Sequence, residues 1–103
     1  MMYLVRRVYK VKPRTQRQAE DLITRIGNAY VEAGQRSPIR VYHSGGTVPG
    51  PMNTVYMDWT EEKLESPYRP GLVNPEAADK LSVELRDIVE ESYIEFYEMY
   101  HPV

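Results

Sequence analysis

The sequence predicts an α+β fold built on one four-stranded antiparallel sheet. Three observations predict it: the order of the hydrophobic patterns, a length that suits one domain over residues 1–103, and a glycine- and proline-rich loop at 45–51. Patterns that repeat every second residue indicate strands, and patterns that repeat every three to four residues indicate helices. The order is strand, helix, strand, strand, helix, strand. The predicted strands are 2–12, 38–44, 54–59 and 92–101, and the predicted helices are 15–34 and 75–91.

The first strand is predicted to be central in the sheet, because both of its faces carry apolar side chains. One face holds Tyr3, Val5, Arg7, Tyr9 and Val11, and the other holds Leu4, Arg6 and Val8. Thr15 is expected to cap the helix that follows, and this amphipathic helix ends near Gly34. Gly27 lies near its apolar side, where it either permits the close approach of another backbone or is a tolerated defect.

The second and third strands are predicted to form a hairpin with one apolar face and one polar and aromatic face. The apolar face carries Ile39, Val41 and His43 on one strand and Val55, Met57 and Trp59 on the other. The second face carries Arg40, Tyr42 and Ser44 on one strand and Thr54, Tyr56 and Asp58 on the other.

The elements that follow the hairpin are a turn, a helix and a strand. Residues 60–64 predict a short helical turn capped by Thr60. Asn74 followed by Pro75 is typical of a helix start, and the apolar stripe of this second helix continues to Val89. The aromatic and β-branched residues of 92–101 favour a strand, although helical periodicity is also compatible with that segment.

This order of elements is the ferredoxin-like split βαβ arrangement, in which the helices cover one face of the sheet. Its usual spatial order, 4-1-3-2, places the first strand beside the last. The charges are consistent with that order, because residues 1–40 hold nine basic and three acidic side chains while the rest holds four basic and twelve acidic. We therefore expect Arg6, Arg7 and Lys10 to lie beside Glu95 and Glu98.

The composition argues against several classes of protein. No cysteine is present, so a disulfide scaffold, a thiolate metal site and a cysteine nucleophile are excluded. No apolar run approaches the length of about 20 residues that a membrane span needs, and the first residues lack the order of a signal peptide. We expect a cytoplasmic protein that binds no membrane, no metal and, for want of a basic and aromatic RNA-binding motif, no nucleic acid.

Two segments resemble the dimeric α+β barrel superfamily, and within it the NIPSNAP proteins and the antibiotic-biosynthesis-monooxygenase domains. Residues 3–13 (YLVRRVYKVKP) resemble the opening strand of that family, which ends in a Lys-Pro turn. Residues 55–62 (VYMDWTEE) are similar to its third strand, which often ends in tryptophan and a capped turn. The resemblance covers nearly the whole chain. It supports the architecture better than an activity, because one fold hosts many functions.

The resemblance implies a homodimer in which two sheets pair face to face as a barrel. It further implies a small, aromatic or polyketide-like ligand in a cavity between sheet and helices, with a cofactor-independent monooxygenase as one possible activity and no cofactor. By analogy, the catalytic candidates are His43, Tyr56 and Trp59, and the ligand-binding candidates are Arg40, Tyr42, Asn53 and Asp58. Some relatives use a helix histidine to bind haem, but the second predicted helix has none, so haem degradation is disfavoured.

The candidates other than Asn53 also have a structural interpretation. Trp59 is typical of a strand-end core residue, and His43, between apolar neighbours, is typical of a histidine whose hydrogen bonds are satisfied in the core. Arg40 and Asp58 can form an ion pair, and Tyr42 and Tyr56 suit a subunit interface. The alternative function is therefore a non-catalytic dimer with a filled barrel, and the sequence leaves open whether the protein is an enzyme.

Overall fold

The computed structural model describes residues 2–67, 69, 71–72 and 75–100, and it contains the six predicted elements in the predicted order. The strands form one antiparallel sheet with the order β2-β3-β1-β4, so the ferredoxin-like topology is confirmed. The elements are β1 (Tyr3–Val11), α1 (Gln16–Glu32), β2 (Arg40–Ser44), β3 (Thr54–Glu61), α2 (Glu76–Arg86) and β4 (Val89–Glu98).

Both helices pack against one face of the sheet, and no helix of the described residues lies on the other face. The core combines the apolar stripe of α1 with alternate side chains of β1 and β3 and the inner side chains of α2. Its strand residues include Val5, Val55, Met57 and Trp59. The predicted alternation of the β2–β3 hairpin is therefore confirmed, because its apolar face meets the helices. We call the uncovered side of the sheet the open face.

The charges of the first and last strands meet as expected at one position. Arg6 lies directly opposite Glu95 in the β1–β4 register, and a guanidinium nitrogen is 2.8 Å from a carboxylate oxygen of Glu95. Lys10 lies opposite Glu91, with 3.6 Å between the charged atoms. Glu98 instead lies opposite Tyr3, and Arg7 lies opposite Ile94. The pairings expected for Glu98 and Arg7 are therefore wrong, and Lys10 meets a different glutamate from the two expected. Opposite charges on adjacent strands stabilise this register.

The second helix is shorter than predicted, and the last strand begins earlier. Helix α2 ends at Arg86, whereas the apolar stripe predicted a helix as far as residue 91. Ile88 is buried in the short connection between α2 and β4. Its carbonyl accepts a hydrogen bond from the Lys12 backbone NH. Val89 already pairs with Val11 beside a β-bulge. Tertiary pairing with β1 therefore overrides helical periodicity here.

The predicted helical turn at residues 60–64 is also wrong. Thr60 pairs with Leu4 and Glu61 with Tyr3, so β3 continues through both positions. The nine-residue strand β1 provides a pairing partner at both positions. Hydrogen bonds between β1 and β3 therefore form there in place of a helix cap at Thr60. Thr15 does precede α1, but its hydroxyl donates to the Lys12 carbonyl and makes no cap hydrogen bond. Asn74 and His101 lie outside the described residues.

Across the described part of the chain, neither helix is both long enough and apolar enough to cross a membrane.

At Gly27, helix α1 packs tightly against side chains of the sheet layer. A Cβ atom at this position would lie 2.4 Å from Cδ1 of Ile39 and 2.6 Å from Sδ of Met57. Both distances are far inside van der Waals contact. The neighbours are side chains of β3 and of the segment before β2, so glycine here admits side chains rather than another backbone.

We expect Gly27→Ala to lower the free energy of unfolding by about 1 kcal/mol. Overpacking a core typically costs about 1–3 kcal/mol, and the better helix propensity of alanine offsets about 1 kcal/mol of that. Urea denaturation followed by circular dichroism measures the difference.

Asn28→Ala is the matched control, because Asn28 is the exposed neighbour of Gly27 in the same helix. It gains helix propensity without a clash and should be neutral or slightly stabilising. If Gly27→Ala were as stable as Asn28→Ala, close packing at Gly27 would not constrain the helix.

Candidate functional site

The open face carries a connected group of aromatic and charged side chains from all four strands. Its centre is Asp58, which is only 2% exposed although it is charged. One carboxylate oxygen of Asp58 accepts a hydrogen bond from Nε of Arg40 at 2.8 Å, and the other accepts one from the hydroxyl of Tyr42 at 2.5 Å. These two donors compensate the burial of the carboxylate. The structural interpretation of Arg40 and Asp58 as an ion pair is thus the observed one.

Two tyrosines stack beside this carboxylate. The rings of Tyr42 and Tyr56 are 5.3 Å apart and inclined by 17°, and the Tyr56 hydroxyl is 2.8 Å from Oγ of Ser44. The Arg6 guanidinium lies 4.9 Å from the centre of the Tyr56 ring and 5.5 Å from that of Tyr97. Such cation–π contacts strengthen when the cation is partly desolvated.

Burial and hydrogen bonding change the acid–base properties of this group. Burial, and then the hydrogen bond to Asp58, raise the pKa of Tyr42 to about 12. Burial by itself lowers the pKa of Arg6, but the hydrogen bond and the charge of Glu95 outweigh it, so the pKa lies above its usual value. The tyrosine and the arginine therefore keep their protons at neutral pH, and Tyr42 acts as a hydrogen-bond donor.

His43 lies on the opposite face of the sheet, near the end of β2. Its Nδ1 is 2.9 Å from a carboxylate oxygen of Glu20 on α1, and its Nε2 is 3.3 Å from the hydroxyl of Thr47. Both ring nitrogens therefore have partners within the chain, as expected for a histidine with satisfied hydrogen bonds. The structure does not bring His43 near Tyr56 or Asp58.

Trp59 and Asn53 occupy structural positions. The Trp59 side chain is 1% exposed, and its Nε1 donates to a carboxylate oxygen of Glu61 at 2.9 Å. Asn53 adopts a left-handed conformation with φ of 51° in the turn before β3, and its carbonyl accepts a hydrogen bond from the Val11 backbone NH. Of the seven candidate residues, the structure gathers Arg40, Tyr42, Tyr56 and Asp58 and places the other three elsewhere.

A cavity of about 400 Å³ lies between the sheet and the two helices. None of the seven candidate residues is among the described residues that line it. Its polar lining consists of Arg7, Tyr9, Tyr30, Arg36, Ser82, Arg86 and Ser92, and its apolar lining of Ile26, Met57, Leu85 and Val89. We call this space the inner cavity.

Sequence reasoning missed the cavity residues, although one signal was present. Arg7 alternates with Val5 and Tyr9 on the face of β1 that packs against the helices, where a charged residue is unusual. Arg36 gave no such signal, because it lies in the irregular segment between α1 and β2. Among the described residues, no three histidine or acidic side chains cluster as a metal site.

We expect the free energy of unfolding to fall as the pH rises from about 10 to about 12, in part because of Tyr42. An unfolded tyrosine loses its proton near pH 10, whereas the pKa of folded Tyr42 is about 12. Between these values the folded state binds more protons than the unfolded state, so raising the pH favours unfolding. Urea denaturation at a series of pH values measures the slope.

Tyr42→Phe should flatten this alkaline loss of stability, and the control Tyr100→Phe, which alters a tyrosine that is 90% exposed, should leave it as in the parent protein. Equal slopes for the parent and Tyr42→Phe would show that Tyr42 does not retain its proton above pH 10.

No protein-family model matches the chain, and no curated protein matches it. Solved structures do. The chain is similar to a NIPSNAP family protein from Agrobacterium tumefaciens, with a TM-score of 0.73, 18% identity, and 100% of this chain and 99% of that one covered. It is similar to a dimeric protein of unknown function with a ferredoxin-like fold from Bacteroides fragilis, with a TM-score of 0.65, 12% identity and coverage of 95% and 96%.

It is also similar to SnoaB, a cofactor-independent oxygenase from Streptomyces nogalater, with a TM-score of 0.64, 8% identity and coverage of 99% and 96%. At these identities the likeness shows the fold. The resemblance to NIPSNAP proteins and monooxygenase-like domains that the sequence predicts is thus confirmed at the level of the fold, which this chain shares over nearly its whole length.

Proposed function

We propose that this protein is a homodimer in which each protomer binds a small aromatic or polyketide-like molecule in the inner cavity. The observation that carries the proposal is the cavity, whose volume of about 400 Å³ lies within the range of about 300–1,000 Å³ typical of small-molecule sites. Its wall combines apolar side chains, which favour an apolar ligand, with tyrosine, serine and arginine groups, which can orient it.

The open face supports the homodimer. It carries Tyr93 and Tyr97, each 41% exposed, together with the stacked pair Tyr42 and Tyr56. Exposed aromatic patches of this kind mark interaction surfaces, and tyrosine is enriched at interfaces because it is apolar with a polar end. The similarity to a dimeric protein from Bacteroides fragilis is a second support.

A cofactor-independent monooxygenase is the reaction that the similarity to SnoaB suggests. In this version, Tyr56 contacts a substrate on the open face, and His43 and Trp59 are the other two proposed catalytic residues. Arg40, Tyr42, Asn53 and Asp58 are the proposed ligand contacts of this version, whose substrate lies outside the inner cavity because none of the seven candidates is among the described residues that line it. The geometry supports binding more strongly than this reaction, because the three proposed catalytic residues do not converge on one point.

Dimerisation without catalysis is the second candidate function, and one observation favours it. The polar groups on the open face are paired with one another: Arg40 and Tyr42 with Asp58, and Arg6 with Glu95. A surface whose charges are already compensated can be buried against a second copy without leaving an uncompensated charge.

Native mass spectrometry tests the proposal. We expect a dimer at twice the chain mass of 12.0 kDa, with additional mass where a ligand is retained from the expression host. Tyr93→Asp should raise the dissociation constant of the dimer at least tenfold, because it places a charge opposite Val8 on the open face.

Tyr100→Asp is the control, since it adds the same charge beyond the end of β4. A parent protein that is monomeric at micromolar concentration would contradict the homodimer. A dimer that retains no mass and binds no member of an aromatic ligand panel would leave dimerisation alone as the function.

A further inference from the structure

The two helices cover the last strand less completely than the centre of the sheet. Phe96 of β4 lies directly opposite Val5 of β1, on the side of the sheet that packs against the helices. Val5 is 1% exposed, whereas Phe96 is 39% exposed. None of the ten residues of β4 is fully buried. Apolar surface on the helix side of β4 is therefore left partly exposed.

A second pocket, with a volume of about 400 Å³, lies on this exposed surface, and its wall is formed almost entirely by apolar atoms. Besides residues of β4, the wall includes Leu64, which follows β3 and is 62% exposed. Large apolar side chains that remain exposed around one concave space indicate a binding groove. We call this space the outer pocket, and its described lining is Arg7, Leu64, Glu65, Ser66, Ile94 and Phe96.

The outer pocket adjoins the inner cavity along β4. Ser92 lines the inner cavity, and Ile94, the next residue on the same side of the strand, lines the outer pocket. Successive residues on one side of a strand are only about 7 Å apart. Arg7 lines both spaces, lies opposite Ile94 and donates a hydrogen bond to Oγ of Ser92 at 3.2 Å. The Arg7 side chain therefore runs along the boundary between the two spaces, where its aliphatic stem offers apolar surface.

We infer that the ligand is an aromatic molecule with an apolar tail, whose ring lies in the inner cavity and whose tail lies in the outer pocket. This inference rests on the proposed ligand-binding function and adds the shape of the ligand to it. Tyrosine and serine hydroxyls stand among apolar side chains in the inner cavity, which suits a ring with a polar group. The apolar wall of the outer pocket suits a hydrocarbon. One molecule that fills both spaces buries more apolar surface than a compact molecule in either.

Binding of para-alkylphenols with increasing tail length to the full-length protein tests the shape of the ligand. The series runs from para-ethylphenol to para-nonylphenol, each kept below its solubility limit, with affinities measured by titration calorimetry. We expect binding to become about fourfold tighter for each methylene group that enters the outer pocket. The gain should level off once the tail fills that pocket.

Two variants connect the preference for a tail to the outer pocket. Leu64→Gln and Phe96→Gln should each weaken the binding of para-nonylphenol about tenfold, as expected for the loss of about two buried methylene groups, and leave para-ethylphenol affinity nearly unchanged. Because Leu64 is 62% exposed, Leu64→Gln keeps the fold even if Phe96→Gln destabilises it. Val83→Gln is the matched control, since Val83 is an apolar residue of α2 that is 59% exposed and lines neither space.

The outcomes separate this inference from the proposed function. Phenols that bind with an affinity independent of tail length would overturn the tail and leave the ligand-binding function standing. A gain with tail length that survives both variants would overturn the assignment to the outer pocket. If Leu64→Gln instead raised the dissociation constant of the dimer and left the tail preference intact, a second copy would occupy the outer pocket and the inference would be wrong. If no phenol bound at all, the tail and ligand binding would both be contradicted, while dimerisation, measured separately, would be unaffected.

Discussion

The backbone pairing of β1 with a neighbour along each of its edges is the interaction on which the rest of the structure depends. β1 pairs with β3 from Tyr3 to Lys10 on one side and with β4 from Tyr3 to Val11 on the other. This pairing extends β3 to Glu61 and ends α2 at Arg86. It also fixes which side chains meet on each face, because the side-chain period of a strand is two and a shift of one residue would exchange the faces.

Two consecutive arginines on β1 show that the register determines the surroundings of each side chain. Arg6 points to the open face and meets Glu95, whereas Arg7 points to the helices and lines the inner cavity. The two faces thus carry different sets of side chains: on the open face Arg6 and Arg40 pair with carboxylates, while Arg7 is among the residues that line the inner cavity. The first arrangement fits the proposed homodimer, because paired charges can be buried against a second copy.

The sequence predicts the element order, the strand order, the faces of β1, β2 and β3, and the contact of Arg6 with Glu95, because these follow from short periodicities and from charge. It does not predict the boundary between α2 and β4, since Ile88 and Val89 fit the apolar stripe of a helix. Only the hydrogen bonds to β1 show that Val89 is the first residue of β4 and that Ile88 precedes it. The candidate site was less predictable. Arg36 reaches the inner cavity through a loop whose path depends on Tyr30 and Trp59, residues far apart in the sequence.

The acidic outer strand has a consequence for assembly. β4 is the edge of the sheet and is ten residues long, and its residues Glu90, Glu91, Glu95 and Glu98 place four negative charges along it. A long free edge is a template on which further chains can add as strands, and charged side chains are a common defence against such growth. Two copies of β4 approaching edge to edge would bring these carboxylates together. Repulsion between these carboxylates therefore disfavours growth into an open-ended fibre through this edge.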